Sequence, residues 1–365
     1  MKKYRRVSRK VVGLTTIFIA AFFSVLVLTN TLGLRTILFL DTKIHTWSNI
    51  QNGQVVQRAN KGESFLQLSG RVGLLAKSVE VVIASPELQI IQPENWISLD
   101  SSPRFSYFEG KISTFPGWIK VFGRSQGTGY RIDNGIQVGI GEVFIVVGQS
   151  NAAGSSKSLF ISNSEKVRSG QFQEDGSILW KHGDDPQVRG GGGSPWPLVG
   201  DMLAKKLGVP IGFINVAVGG SSIRDWKPGS ENFRQLIRAI EASNPYGVRA
   251  ILWHQGESDQ GMTSDEYYTQ LVTVIRETQR ASKSEIKIPW LVARATYGEG
   301  KVSEAVREAQ KRIWDDGIAL EGPDTDSLDT PYRETLDGVH FNEAGTYNAA
   351  KLWYQKIDDA FFKNS

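Results

Sequence analysis

The sequence predicts an α/β protein: a three-layer α/β/α domain on a parallel sheet, preceded by a small β-sandwich and an N-terminal transmembrane helix. Three observations carry this expectation. After Gly141, short apolar runs alternate with amphipathic helical patterns, which is how a parallel sheet covered on both faces reads. From about Asp41 to Gly141 the chain instead shows short alternating runs separated by Gly, Pro, Ser and Asn. At the N-terminus, Lys2, Lys3, Arg5, Arg6, Arg9 and Lys10 precede a largely apolar stretch over residues 11–28, which weakens through Thr29-Asn30-Thr31 toward Leu34.

That stretch suits a membrane span of roughly 20 residues. Its basic flank belongs in the cytoplasm, which puts the chain after Arg35 on the outer face. A cleaved signal peptide is the rival reading and would make the protein secreted or periplasmic. No small-x-small site follows the apolar run, which favours an uncleaved single-pass anchor. The expected divisions are 1–35 for the basic tip and anchor, 41–141 for the β-sandwich, and 142–365 for the α/β domain.

The β-rich part includes Ser64-Phe65-Leu66-Gln67-Leu68 and the runs 79–83 and 118–122, with no long helical period. About 100 residues is a usual size for a sandwich. Beyond it, strands are expected at 143–147, 211–216, 250–253 and 289–293. Phe233, Leu236, Ile237 and Ile240 mark one intervening helix. Thr263 and Glu266 fit a capping box at the start of another. A last helix over 343–362 carries Tyr347, Ala350, Tyr354, Ile357 and Phe361 on one side. The ligand site of such a domain lies at the carboxyl ends of its strands.

Composition excludes several chemistries. Lys and Arg total 42 against 38 Asp and Glu, and the net +4 includes the N-terminal cluster, so the rest is nearly neutral and nucleic acid is not an expected partner. Without cysteine there are no disulfides, thiolate metal sites or cysteine nucleophile. His45, His182, His254 and His340 are too scattered to suggest a zinc site, and neither metal nor cofactor is expected. The Gly190-Gly191-Gly192-Gly193-Ser194 run lacks the lysine of a phosphate-binding loop and reads as a plain loop.

Four segments can carry chemistry. Gly148-Gln149-Ser150-Asn151 follows an apolar strand, although a serine in a Gly-rich turn is ordinarily a turn former or cap, and Ala152 departs from the G-x-S-x-G nucleophile elbow. Gly219-Gly220-Ser221-Ser222 lies after the next strand, where glycines let backbone N–H groups approach a ligand; a tight turn explains it equally. In His254-Gln255-Gly256-Glu257-Ser258-Asp259, Gln255 can aim an amide at an oxyanion and Glu257 can partner a histidine, with His254 in a packing role. In Asp337-Gly338-Val339-His340, acid and imidazole three apart on a turn can face one site.

In this order, Gly-Gln-Ser-Asn at 148–151, Gly-Gly-Ser-Ser-Ile at 219–223 with Trp226, Gln-Gly-Glu-Ser-Asp at 255–259 and Asp-Gly-Val-His at 337–340 resemble the SGNH/GDSL hydrolase superfamily. The likeness is specifically to its sialate O-acetylesterase-like group, which includes acetylxylan esterases, and it spans roughly Gly141 to the C-terminus. The resemblance implies a flavodoxin-like three-layer domain, Ser150 as nucleophile and His340 as base. It implies an oxyanion hole from the N–H groups of Ser150 and Gly220 with Gln255. The acid is Asp337 by the superfamily's Asp-x-x-His pattern, with Glu257 as an alternative or additional partner.

Asn151 and Trp226 are candidate substrate contacts. Trp226, like Trp196, fills a core equally well. The expected partner is an O-acetylated carbohydrate such as a sialate, a xylan or an envelope or extracellular polysaccharide. The expected reaction is deacetylation through an acetyl-serine intermediate. A polysaccharide O-acetyltransferase and a non-catalytic carbohydrate-binding or envelope-assembly protein are the alternatives. Oligomeric state leaves no local motif.

Overall fold

Strands that alternate inward and outward side chains organise the first part of the chain. The computed structural model describes residues 41–364, apart from 60–62, 86–94, 127–130, 174–176, 188–189 and 283–286. The expected membrane span lies outside the described residues; among the described residues no helix is long and apolar enough to cross a membrane. Nine strands come first: β1 (Ile44–Trp47), β2 (Gln54–Gln57), β3 (Ser64–Val72), β4 (Ser78–Ala84), β5 (Ile97–Asp100), β6 (Tyr107–Thr114), β7 (Gly117–Gln126), β8 (Arg131–Ile132) and β9 (Ile136–Gly148). β1, β3 and β6 form one antiparallel sheet. In the other, β7 pairs antiparallel with β4, β8 and β9, β5 pairs with β4, and β2 runs parallel to β9. Leu66, Leu68 and Ile112 from the first meet Val81, Ile119, Val121, Val138 and Ile140 from the second in one apolar core.

β9 does not stop at Gly141. Its first half pairs with β2 and β7, and its second half enters a further set of strands. These are β10 (Val167–Phe172), β11 (Ile178–His182), β12 (Ile211–Asn215), β13 (Ala250–His254), β14 (Trp290–Arg294) and β15 (Leu320–Asp324). They run in the order β11-β10-β12-β9-β13-β14-β15, so that twelve strands share one sheet. From β10 to β15 every pairing is parallel. The sheet is nevertheless mixed: β7 runs antiparallel to β4, β8 and β9, and β11 folds back antiparallel on β10 across a connection too short for a parallel crossover.

Helices cover both faces of this part, and the alternation along β9 shows why. Val143, Ile145 and Val147 face a core shared with α3 (Glu231–Ala242), α4 (Ser264–Ala281) and α5 (Glu304–Asp315). Phe144 and Val146 face the opposite core, shared with α2 (Trp196–Leu207) and α6 (Glu343–Lys356). α1 (Ser150–Ala153) is a single turn after β9. The capping box at Thr263 and Glu266 is formed. The expected last helix is two, α6 and α7 (Asp359–Asn364), because Asp358 accepts from Phe361 N and starts a new helix. Ala350, Ile357 and Phe361 are buried and Tyr354 packs against the same core, as expected, whereas Tyr347 is 47% exposed and Trp353, not expected there, is fully buried.

One buried charge cluster sits midway along β9. Glu142, with no exposed surface, takes Arg58 Nε at 2.6 Å and Arg249 Nε at 2.6 Å, and accepts from Gln57 Nε2 at 2.9 Å. Arg58 and Gln57 belong to the β2 end, and Arg249 leads into β13. Glu142→Ala leaves two guanidinium groups without their shared counter-charge. It is expected to destabilise the protein by about 3–5 kcal/mol, measured by urea unfolding.

Candidate active site

The end of β9 is shaped by its last residue. Gly148 has φ +140°, and a Cβ there would lie 2.0 Å from the carbonyl oxygen of His254 on β13. The chain can therefore turn tightly against its neighbour only with glycine. Gln149 N donates to His254 O at 3.0 Å, and Gln149 Oε1 accepts from Gly256 N at 3.3 Å and Ser258 N at 3.1 Å. Ser150 then opens α1, whose Ala152 carbonyl accepts from Trp196 Nε1 at 2.7 Å and Asn215 Nδ2 at 2.9 Å. The serine thus sits on a short turn anchored to four other segments.

His340 lies on the loop before α6. Asp337 braces that loop from within: Oδ1 accepts from Val339 N at 2.8 Å and His340 N at 2.9 Å, while Oδ2 lies 2.9 Å from His340 Nδ1. Burial raises the acid's pKa, but the two backbone donors and the imidazole outweigh it and hold Asp337 below the usual carboxylate range. An ionised Asp337 fixes the His340 proton on Nδ1 and leaves Nε2 as the basic nitrogen.

Ser150, Gly219, Gly220, Glu257, Asp337 and His340 line one open cleft of about 480 Å³. The loop after β12 is tied to the β9 end, since Val218 N donates to Gly148 O at 2.9 Å. Gly220 has φ +71°, and a Cβ on Gly219 would lie 3.9 Å from the Ser150 Cβ. Nucleophile candidate, base candidate, acid and a glycine backbone therefore converge on one space. No group of three or more His, Asp or Glu among the described residues is placed to hold a metal.

Residues 140–358 match the family model described as carbohydrate esterase, sialic acid-specific acetylesterase. The chain belongs to this carbohydrate esterase family. A probable carbohydrate esterase of Arabidopsis thaliana is 31% identical over 103 residues, which is 27% of this chain and 39% of that protein's length. A carbohydrate acetylesterase of Xanthomonas citri has a similar fold, with TM-score 0.54 and 15% identity over 87% of this chain and 74% of that one.

In this member of the family three expected contacts do not face the cleft. Gln255 is fully buried: its Nε2 donates to Asp259 Oδ2 at 2.5 Å, Gln149 Oε1 at 3.2 Å and Ser221 O at 3.2 Å, and its Oε1 accepts from the Tyr267 hydroxyl at 3.0 Å. Its amide is occupied in joining loops and is not presented to an oxyanion. Trp226 is fully buried, edge-on to Trp253, with Nε1 on Ser221 Oγ at 3.0 Å, so it offers no face to a sugar. Asn151 is 3% exposed, and its amide is bonded to Glu257, Val339 and Phe341.

Glu257 accepts from Asn151 Nδ2 at 2.9 Å and lies 3.9 Å from the buried His254 ring, whereas the acid on His340 is Asp337. Sequence reading missed Arg333, whose guanidinium bonds the carbonyls of Leu328, Val339 and Thr325 behind the cleft, because a lone arginine before Asp-x-x-His carries no pattern. It also missed Gln149 as the brace of the serine turn.

Burial pushes the Glu257 carboxyl from its ordinary 4.5 up to about 7, against the Asn151 hydrogen bond and the Arg333 charge, both of which lower it. Between those values the folded protein binds more protons at Glu257 than the unfolded chain, so the contribution of this group to stability falls as pH rises. A window of about 2.5 pH units at about 1.4 kcal/mol per unit gives about 3 kcal/mol. Relative to wild type, Glu257→Gln is expected to gain roughly that much stability between pH 4.5 and 7.5, measured by denaturant titrations at each pH.

Proposed function

We propose that the protein is a serine carbohydrate O-acetylesterase that removes acetyl groups from an O-acetylated glycan. One observation carries the reading: Ser150 and the His340–Asp337 pair share one cleft in a chain of the carbohydrate esterase family. His340 Nε2 takes the Ser150 proton as Oγ attacks the acetyl carbon. The N–H groups of Ser150 and Gly220 receive the oxyanion, with no contribution from Gln255. Collapse breaks the bond to the sugar oxygen, which takes the proton from His340, and leaves acetyl-Ser150. Water, deprotonated by His340, then attacks the acyl carbon; the bond to Ser150 Oγ breaks, Oγ recovers the proton from His340, and acetate leaves.

The alcohol half of the ester extends past Gly219 and Gly220 into an adjoining groove of about 460 Å³. Two of its acids are already engaged: Asp225 accepts from Ser222 N, and Glu231 bonds Arg234 and Gln235. Arg224 and Lys227 line the same groove and make no ion pair among the described residues, which supports a glycan carrying hydroxyl or carboxylate acceptors. The basic cluster at residues 2–10 and the apolar run at 11–28 support an N-terminal anchor, with this site outside the cytoplasm.

Ser150→Ala and His340→Ala are each expected to lower hydrolysis of p-nitrophenyl acetate by at least about a thousandfold, and Asp337→Asn by at least about a hundredfold. Folded variants that retain turnover would refute the assignment. Acetate release from acetylated glycans identifies the substrate; transfer of acetyl to an added glycan, with little free acetate, would make the protein a transferase. Joint replacement of Arg224 and Lys227 by Ala is expected to raise KM for the glycan about tenfold while leaving p-nitrophenyl acetate unaffected. Equal effects on both esters would remove the groove from the reading.

A further inference from the structure

The residue after the candidate nucleophile bonds the loop that carries the candidate base with both ends of its side-chain amide. Asn151 Oδ1 accepts from Phe341 N at 3.1 Å, and Asn151 Nδ2 donates to Val339 O at 3.2 Å and to Glu257 Oε1 at 2.9 Å. Val339 and Phe341 are the two neighbours of His340. We propose that Asn151 is a positioning residue that clamps His340 from both sides, and that Glu257 is an acceptor that helps set the direction of the Asn151 amide and is not the acid of the serine–histidine pair. This rests on the reading of Ser150 and His340 given above.

The chemistry of the amide makes the arrangement directional. An asparagine side chain has two N–H donors on one atom and a carbonyl acceptor on the other. With the observed orientation, both hydrogens meet acceptors and the oxygen meets an N–H. Rotated by half a turn, the oxygen would face the Glu257 carboxyl and the Val339 carbonyl, while the N–H groups would face the Phe341 N–H. Glu257 adds to the Val339 carbonyl and the Phe341 N–H in selecting one orientation, and its Oε1 is the acceptor for the second Asn151 hydrogen.

Arg333 completes the hold: Nη1 donates to the same Val339 carbonyl at 2.7 Å, and the guanidinium stacks on the Phe341 ring at 4.2 Å. Asp337 already fixes the His340 N–H and Nδ1. The backbone on both sides of the base is thus tied to the turn that starts with Ser150, which fixes the base relative to the nucleophile. Misplacing a catalytic base by about 1 Å costs about a hundredfold in rate.

The test compares kcat, KM and thermal midpoints for p-nitrophenyl acetate in wild type, Asn151→Ala, Glu257→Ala, Glu257→Gln and Asp337→Asn. The clamp predicts that Asn151→Ala and Glu257→Ala lower kcat about ten- to a hundredfold with KM within about twofold. It predicts that Glu257→Gln recovers most of the rate lost in Glu257→Ala, because the glutamine oxygen still accepts from Asn151. A folded Asn151→Ala with wild-type kcat overturns the proposal. So does a Glu257→Gln as slow as Asp337→Asn, which would make the Glu257 charge the working acid. If Asn151→Ala does not fold, the Glu257 pair decides the matter alone. Turnover that survives Ser150→Ala or His340→Ala would instead defeat the underlying assignment of the site.

Discussion

The fold and the site both depend on β9. Its thirteen residues belong to two groups of strands at once, pairing with β2 and β7 near Ile136 and with β12 and β13 near Gly148. Each β-rich or α/β part would otherwise need its own edge and its own connection. Because hydrogen bonds run along both sides of one strand, the register that seats the first sheet also fixes where Gly148 ends. Glu142 reinforces the joint, since a fully buried carboxylate holds arginines from both sides of it. Desolvating three charges is costly, so the cluster is a constraint on geometry more than a source of net stability.

The periodic features were the readable ones. Apolar runs gave β9, β12, β13 and β14, and Thr263 with Glu266 gave the start of α4, because burial patterns and caps are local. β10, β11 and β15 were missed: β10 reads Val-Arg-Ser-Gly-Gln-Phe and β15 reads Leu-Glu-Gly-Pro-Asp, so neither shows a sustained apolar run, and their strand character comes from their partners. The same distinction governs the site. Ser150, His340 and Asp337 drew notice through ordered motifs and the family resemblance they carry, and the cleft that all three line is a product of the fold. Whether Gln255 or Asn151 faces a ligand or the interior depends on three-dimensional partners that no spacing encodes.

Those partners form a continuous polar layer beneath the cleft. Gln149, Asp259 and Tyr267 are each hydrogen-bonded to Gln255, which has no exposed surface. A buried amide is stabilising only when its groups are matched, and a mismatch costs more than the bond was worth. The layer therefore ties together the loops after β9, β12 and β13. This explains why the motif residues that read as chemistry are divided between cleft and scaffold. The serine turn needs a brace that cannot slide, and amides that bond several backbones at once provide it.

The two acids near the site illustrate the division. Glu257, enclosed and pushed up to about 7, carries a full negative charge only part of the time near neutral pH. An acid in that state gives weak and pH-dependent support to an imidazolium. Asp337 is 42% exposed at its side chain, yet two backbone N–H groups and the imidazole keep it below the usual range and therefore ionised. Exposure weakens its Coulombic pull. Geometry compensates, because the carboxylate that orients the His340 ring also shapes the loop presenting it. The exposed acid is thus the one able to hold a charged histidine, and the buried acid is suited to holding a neutral amide in place.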